Sequence, residues 1–278
     1  MLGNPGLLQK FLIERRAAIH PEDVGLTTRT EGSGRRAPGL SQTQVEELLG
    51  THGKYARLER AALTAPPLEL LLAVGRLFRL TEQEWSILWR YARGENPPRP
   101  LARDAGLEVH GSWARVVDAQ TEMSYLNDAA WNVLHYNAAF AELFPDRRVP
   151  KNTMRWMLLA QEARGIMVDW ATSWAPFIAP QLRAMRAARP ANATLAAIER
   201  DVLADEIAGP IYRDGPDVRV HPDGDERPLD HPTHGRGWVT VCAASPFNSP
   251  DARLMVLPFR RGEQRPSPPA VLRADIKN

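Results

Sequence analysis

The sequence predicts a mostly α-helical chain with a smaller α+β part in its second half, and three observations carry that expectation. Apolar residues recur at helical spacing in five segments before residue 94. A stretch dense in proline, glycine and charge, GENPPRPLARDAGLE (Gly94 to Glu108), then interrupts the pattern. Beyond it lie short β-like runs and six of the eight tryptophans. At 278 residues the chain suits two domains, with about 150 residues per domain as a soft prior. The expected division is a helical domain over 1–93, a linker over 94–108, an α+β domain over 109–262 and a flexible tail over 263–278.

Pro5 to His20 places Leu7, Leu8, Phe11 and Leu12 on one helical face, opposite Glu14, Arg15 and Arg16. A turn-forming, charged loop with Gly32, Ser33, Gly34, Arg35 and Arg36 follows. The next segment, RRAPGLSQTQVEELLGTHGKYARLE (Arg35 to Glu59), reads as two short helices joined by a tight turn. Ser41 is the expected N-cap of the first, which buries Val45, Leu48 and Leu49 and stops at Gly50. This is the pattern of a helix-turn-helix. Gly53 falls within the expected second helix, where glycine costs about 1 kcal/mol relative to alanine, so that helix is expected to begin late. PPLELLLAVGRLF (Pro66 to Phe78) supplies a fourth helix with prolines in its first turn. TEQEWSILWRYAR (Thr81 to Arg93) supplies a fifth, opened by a Thr81–Glu84 capping box and carrying Trp85, Leu88 and Trp89 along one side.

In the second half, Met123 to Leu126 and Ala130 to His135 read as short strands, and Asn137 to Phe144 as a helix capped by Asn137. Asn152 to Leu159, Ile166 to Met185 and Ala193 to Leu203 read as helices, the middle one broken or kinked by Pro176 and Pro180. Gly237 to Ala244 and Leu254 to Phe259 read as paired strands. HPDGDERPLDHPTHG, from His221 onward, reads as turn chemistry: its Asp-Gly pair and prolines lack the rigid spacing of common histidine metal sites, so no metal site is expected.

Hydrophobic content of 44% and charged content of 24% are those of a globular protein. Residues 1–100 hold 14 Lys or Arg against 11 Asp or Glu, a basic excess that permits a phosphate-facing surface without demanding one. A single cysteine, Cys242, excludes an intrachain disulfide and a thiolate zinc cluster and suits a reducing cytoplasm. No apolar run approaches the roughly 20 residues of a membrane span, and the N-terminus does not read as an export signal. Nucleophile elbow, phosphate loop and dinucleotide fingerprint are all missing, so no enzyme and no catalytic residue are expected.

The N-terminal order FLIERRAAIHPEDVGL, RRAPGLSQTQVEELLG, YARLER and LLLAVGRLFRLTEQEWSILWRYA resembles the helix-turn-helix of XRE-type bacterial regulators, in the MmyB-like branch. WNVLHYNAAFAELF, NTMRWMLLAQEARGIMVDW, HPDGDERP and GWVTVCAA resemble the same family's sensor domain. The resemblance implies a five-helix helix-turn-helix domain followed by a PAS-like α+β sensor domain. It further implies a cytoplasmic, homodimeric transcription regulator, nucleoid-associated when bound to DNA. The sensor would need no cofactor and would hold a small apolar, fatty acid-like ligand or mediate dimerisation.

Carried onto these positions, the second helix enters the major groove and Thr51, His52, Lys54 and Arg57 meet bases or phosphates. Gln42 and Thr43 reach the backbone, and Arg35 and Arg36 reach phosphate or the minor groove. In the sensor, Trp131, Trp156, Trp170, Trp174 and Phe177 are candidate pocket walls, and Asn137, Arg155 and Arg183 candidate partners of a ligand carboxylate. The bland counterparts are a helical bundle with a solvated basic face and an aromatic core. A second functional reading is a protein-interaction module whose degenerate helix-turn-helix binds another regulator rather than DNA.

Overall fold

The computed structural model describes residues 3–26, 39–102, 104–215, 223–265 and 272. Arg35, Arg36, His221 and most of the expected tail lie outside the described residues. The chain divides into two compact units, Met1–Ala105 and Gly106–Asn278.

The first unit holds five α-helices among its described residues: α1 (Pro5–Ala18), α2 (Gln42–Leu49), α3 (Lys54–Glu59), α4 (Leu68–Leu77) and α5 (Glu82–Arg93). Local chemistry sets their ends. Asn4 accepts the Leu7 amide at the start of α1, while Ser41–Gln44 and Thr81–Glu84 form complete capping boxes on α2 and α5. Gly50 and Gly94 stop those two helices in the left-handed conformation. Leu8, Leu12, Val45, Tyr55, Leu58, Leu71, Val74, Trp85 and Leu88 form one core. Leu48, expected to be buried, is instead exposed, because the short α2 turns only Val45 fully inward. The stretch after α5 is partly packed. Leu101 is buried, the Glu82 carboxylate accepts the amides of Leu101 and Ala102, and the missing side chain of Gly75 leaves the space that Leu101 fills.

The second unit is a six-stranded antiparallel sheet with helices on both faces. Its strands are β1 (Met123–Asn127), β2 (Val133–Tyr136), β3 (Asp225–His231), β4 (Gly235–Ala244), β5 (Arg253–Leu257) and β6 (Phe259–Arg261). They run in the order β2-β1-β5-β4-β3, with β6 also paired to β4. α6 (Trp113–Asp118) precedes the sheet. Between β2 and β3 the chain forms α7 (Ala138–Ala141), α8 (Thr153–Leu159), α9 (Gln161–Ile166), α10 (Ala175–Ala188), α11 (Ala193–Ala204) and α12 (Ala208–Asp214). Strand alternation sends Met123 and Tyr125 of β1 to one face, where they join Leu229, Val239 and the helical residues Phe140, Met154, Trp156, Trp174, Ile178 and Leu182 in one core. Leu126 and Leu254 point the other way and pack with Val117 of α6.

Four elements depart from the sequence reading. HPDGDERPLDHPTHG is not merely turn: its residues 225–231 pair with β4 over seven positions. Pro228 and the charges are tolerated because β3 is an edge strand. α6 and α12, of six and seven residues, are too short to show a helical period. The expected helix over 166–185 is interrupted, but before its prolines. α9 ends at Ile166, Asp169 takes a left-handed conformation with φ 54°, and a π-helical turn over Trp170–Trp174 leads into α10. Pro176 sits in the first turn of α10, where its missing N–H costs nothing, and Pro180 remains inside the helix.

Candidate functional site

In the first unit, two carboxylates build the turn between α2 and α3. Glu46 accepts from the Thr51 hydroxyl at 2.5 Å, the Gly53 amide at 2.8 Å and the Ala56 amide at 2.6 Å. Burial alone would raise its pKa, but these donors hold it below the usual carboxylate value. Gly53 is not inside α3, as its position suggested. It is the N-cap, at φ 86° with open space around a would-be Cβ, so glycine is required by the backbone conformation and weakens no helix. Glu59 is buried and accepts from Arg16 Nε at 2.9 Å, the Tyr55 hydroxyl at 2.5 Å and Gln42 Nε2 at 2.7 Å, which ties α1, α2 and α3 together.

Among the candidate DNA contacts, Thr43, His52, Lys54 and Arg57 are exposed on this pair of helices. Thr51 and Gln42 already serve internal bonds to Glu46 and Glu59. Glu46 and Glu59 were missed by the sequence reading. A signal for Glu59 exists in its four-residue spacing from Tyr55, which puts both side chains on one helical face.

In the second unit, a cavity of about 50 Å³ lies between the inner face of the sheet and the helices. Met123 and Tyr125 of β1, Leu229, Val239 and Leu257 of the later strands, and Phe140 and Leu143 form one side. Thr153, Trp156 and Met157 of α8, with Met167 and Trp174, close the other. Three of its walls are methionines, whose unbranched side chains adapt to different occupants. Burial pushes the Tyr125 hydroxyl up to about 12, so it is a neutral donor at any ordinary pH.

Of the candidate ligand residues, the structure brings Trp156 and Trp174 to this cavity. The others lie outside its walls, each for a visible reason. Asn137 caps α7 through Phe140 N and braces β1 through Ser124 N and the carbonyls of Gln120 and Glu122. Arg155 is ion-paired with Asp201 at 2.6 Å, and Arg183 donates to the carbonyls of Tyr212 and Gly215. Trp170 donates to the Met157 carbonyl at 2.7 Å and carries the Arg164 guanidinium on its ring. Phe177 lies under the Arg227 guanidinium, and Trp131 near that of Arg253. The methionines, Tyr125 and Thr153 escaped the sequence reading, although Met123 and Tyr125 share the two-residue spacing of one strand face.

Among the described residues no group of three His, Cys, Asp or Glu side chains is placed to hold a metal ion. The His231 and His234 rings lie against each other at a tilt of 35°, with centroids 4.5 Å apart, at the β3–β4 hairpin. Cys242 is half-buried, and burial pushes its thiol pKa up. No helix among the described residues is long and apolar enough to cross a membrane.

An antiparallel sheet with an apolar cavity under a helical cover offers a concave apolar site suited to a small molecule. The family model described as MmyB-like transcription regulator ligand binding domain matches residues 109–265, more than half of the chain. The chain belongs to that family and is accordingly a transcription regulator with a ligand-binding domain. No curated protein matches it.

Proposed function

We propose that the protein is an XRE-type, DNA-binding regulator that acts as a homodimer, with a PAS-like C-terminal domain that senses a small apolar, fatty acid-like ligand. The observation that carries the DNA-binding half is the Glu46 clip. It fixes the α2–α3 turn so that exposed His52, Lys54 and Arg57 fall at the start and along one side of α3. A helix presented this way places its first-turn side chains at base edges in the major groove, while Thr43 on the bracing helix reaches phosphate. The strand order β2-β1-β5-β4-β3, with the helical crossover between β2 and β3, supports the PAS-like reading. Control is by linkage. A ligand that binds one arrangement of the dimer better than another shifts the population toward it, and with it the match of two heads to half-sites about one helical turn apart.

Fluorescence anisotropy with a fragment of the protein's own promoter region tests the reading. Affinity should fall linearly with the logarithm of salt concentration, and Arg57→Ala should weaken binding and reduce the salt slope by about 1 if it meets phosphate. Salt-independent binding, or none across a genomic fragment library, sinks it. Capture of one stoichiometric protein partner without DNA would instead favour the interaction-module reading.

A further inference from the structure

The inner face of the sheet carries, at one end, a cation that no carboxylate answers. β5 lies beside β1 with Met255 opposite Tyr125, so alternation puts Arg253, two residues before Met255, on the face that also carries Tyr125. Leu254 and Val256 take the other face and pack with Val117 of α6. Arg253 is thus the diagonal neighbour of Tyr125 across the strand pair, a separation of about 7–8 Å that a long side chain spans.

The electrostatics agree with that placement. Burial is the main influence on the Tyr125 hydroxyl and raises its pKa, while a hydrogen bond with Thr153 and the charge of Arg253 pull the other way. Tyr125 and Thr153 both line the cavity. Their paired hydroxyls form a polar end to an otherwise apolar space, and the Arg253 charge is felt there.

What holds Arg253 is weak. Its Nη1 donates to Gln181 Oε1 at 3.3 Å, and the guanidinium lies 6.0 Å from the Trp131 ring centroid. Arg164, Arg186, Arg189 and Arg227 of the same unit are matched by Asp205, Glu199, Asp251 and Asp225. Among the described residues Arg253 has no such carboxylate, and a half-buried charge facing a neutral amide is short of stabilisation. Gln181 also donates to the Phe177 carbonyl at 3.0 Å, so its amide stays anchored when a ligand oxygen replaces its own. Trp131 is held at φ 62°, the kind of strained backbone that collects at ligand clamps.

We infer that Arg253 is the head-group residue of the cavity: it binds the ionised carboxylate of a single-chain acid, assisted by the Tyr125 hydroxyl, while the chain lies among Met123, Met157 and Met167. This rests on the sensor reading of the second unit and supplies its specificity determinant. The guanidinium fork suits a carboxylate through two parallel N–H···O bonds, which a neutral alcohol cannot reproduce. The cavity of about 50 Å³ is smaller than such a chain, so the three methionines must rearrange as it enters.

The test titrates the full-length protein with decanoate and with 1-decanol by isothermal calorimetry at pH 8. Decanoate is expected to bind at least about tenfold more tightly than decanol. Arg253→Gln should weaken decanoate about tenfold or more and leave decanol within about twofold, whereas Arg253→Lys, which keeps the charge but not the fork, should recover part of the loss. A residue that merely supports the fold would weaken both compounds alike. Should Arg253→Gln fail to fold, the decanoate-to-decanol ratios of Arg253→Lys and of the wild type decide. Decanol binding the wild type as tightly as decanoate, Arg253→Gln binding decanoate like the wild type, or equal loss of both compounds in a folded variant overturns the assignment and leaves the sensor reading intact. A retained molecule without an acid group, found by native mass spectrometry, overturns it as well. If neither compound binds and no molecule is retained, the sensor reading itself falls.

Discussion

Glu46 and Glu59 show how two side chains of one kind can do different work a few residues apart. Glu46 is a substitute for backbone hydrogen bonding: three donors that a sharp turn leaves over converge on it. Glu59 is a buried charge satisfied by Arg16, Tyr55 and Gln42 from three helices. Removing it strands the Arg16 guanidinium and a buried phenol, so Glu59→Ala should destabilise the first unit by about 3–5 kcal/mol. Urea denaturation followed through amide hydrogen exchange in α1, α2 and α3 measures it, and a loss below about 1 kcal/mol would show that the network contributes little. The pH sign is fixed by the same contacts. Burial opposes ionisation of Glu59, but Arg16 and the other donors prevail and hold its folded pKa below the model-peptide value of 4.5. Its contribution is therefore present above that value and lost as the pH falls through the lower, folded one.

At the scale of elements, what could be read from the sequence depended on whether local chemistry alone decides the outcome. α2 and α5 were legible to their caps because a capping box and a following glycine act within a few residues of chain. β3 was illegible because Asp-Gly and proline favour turns locally, and only the neighbouring β4 makes residues 225–231 a strand. The cavity divides the same way. Trp156 and Trp174 stand out by type, whereas the roles of Tyr125 and Thr153 depend on which face of the sheet the helices cover, and Arg155 and Arg183 are claimed by residues distant in sequence.

The β3–β4 hairpin also carries a titratable lock. His231 is buried and its Nδ1 accepts the amides of Thr233 at 3.2 Å and His234 at 3.3 Å, which requires that nitrogen to be unprotonated. Burial, aided by the charge of His234 and opposed by Glu142, lowers its pKa from 6.5. The unfolded chain then binds more protons than the folded one as the pH drops below 6.5, so this stability is present above that pH and lost on acidification toward the folded value. The melting temperature should fall between pH 7.5 and 5.5 from this group, and His231→Phe should remove that component. An unchanged pH profile in the variant would place the lock elsewhere.

For the whole molecule, the decisive property is whether the cavity and the α2–α3 pair are energetically coupled, because a regulator with a ligand-binding domain need not be regulated by the ligand. If they are coupled, thermodynamics demands reciprocity: whatever factor a ligand applies to promoter affinity, promoter DNA must apply to ligand affinity. A typical coupling is about 5- to 150-fold, large enough to resolve in both directions. Promoter binding should be titrated by anisotropy with and without saturating decanoate, a probe of the proposed fatty acid-like class, and decanoate binding by calorimetry with and without promoter fragment. The two factors are expected to agree and to differ from one. Factors that both equal one would mean that the second unit binds its ligand without controlling the first. Arg57→Ala then separates site from coupling, since loss of a phosphate contact should weaken DNA binding in both ligand states by the same ratio and leave the coupling factor unchanged.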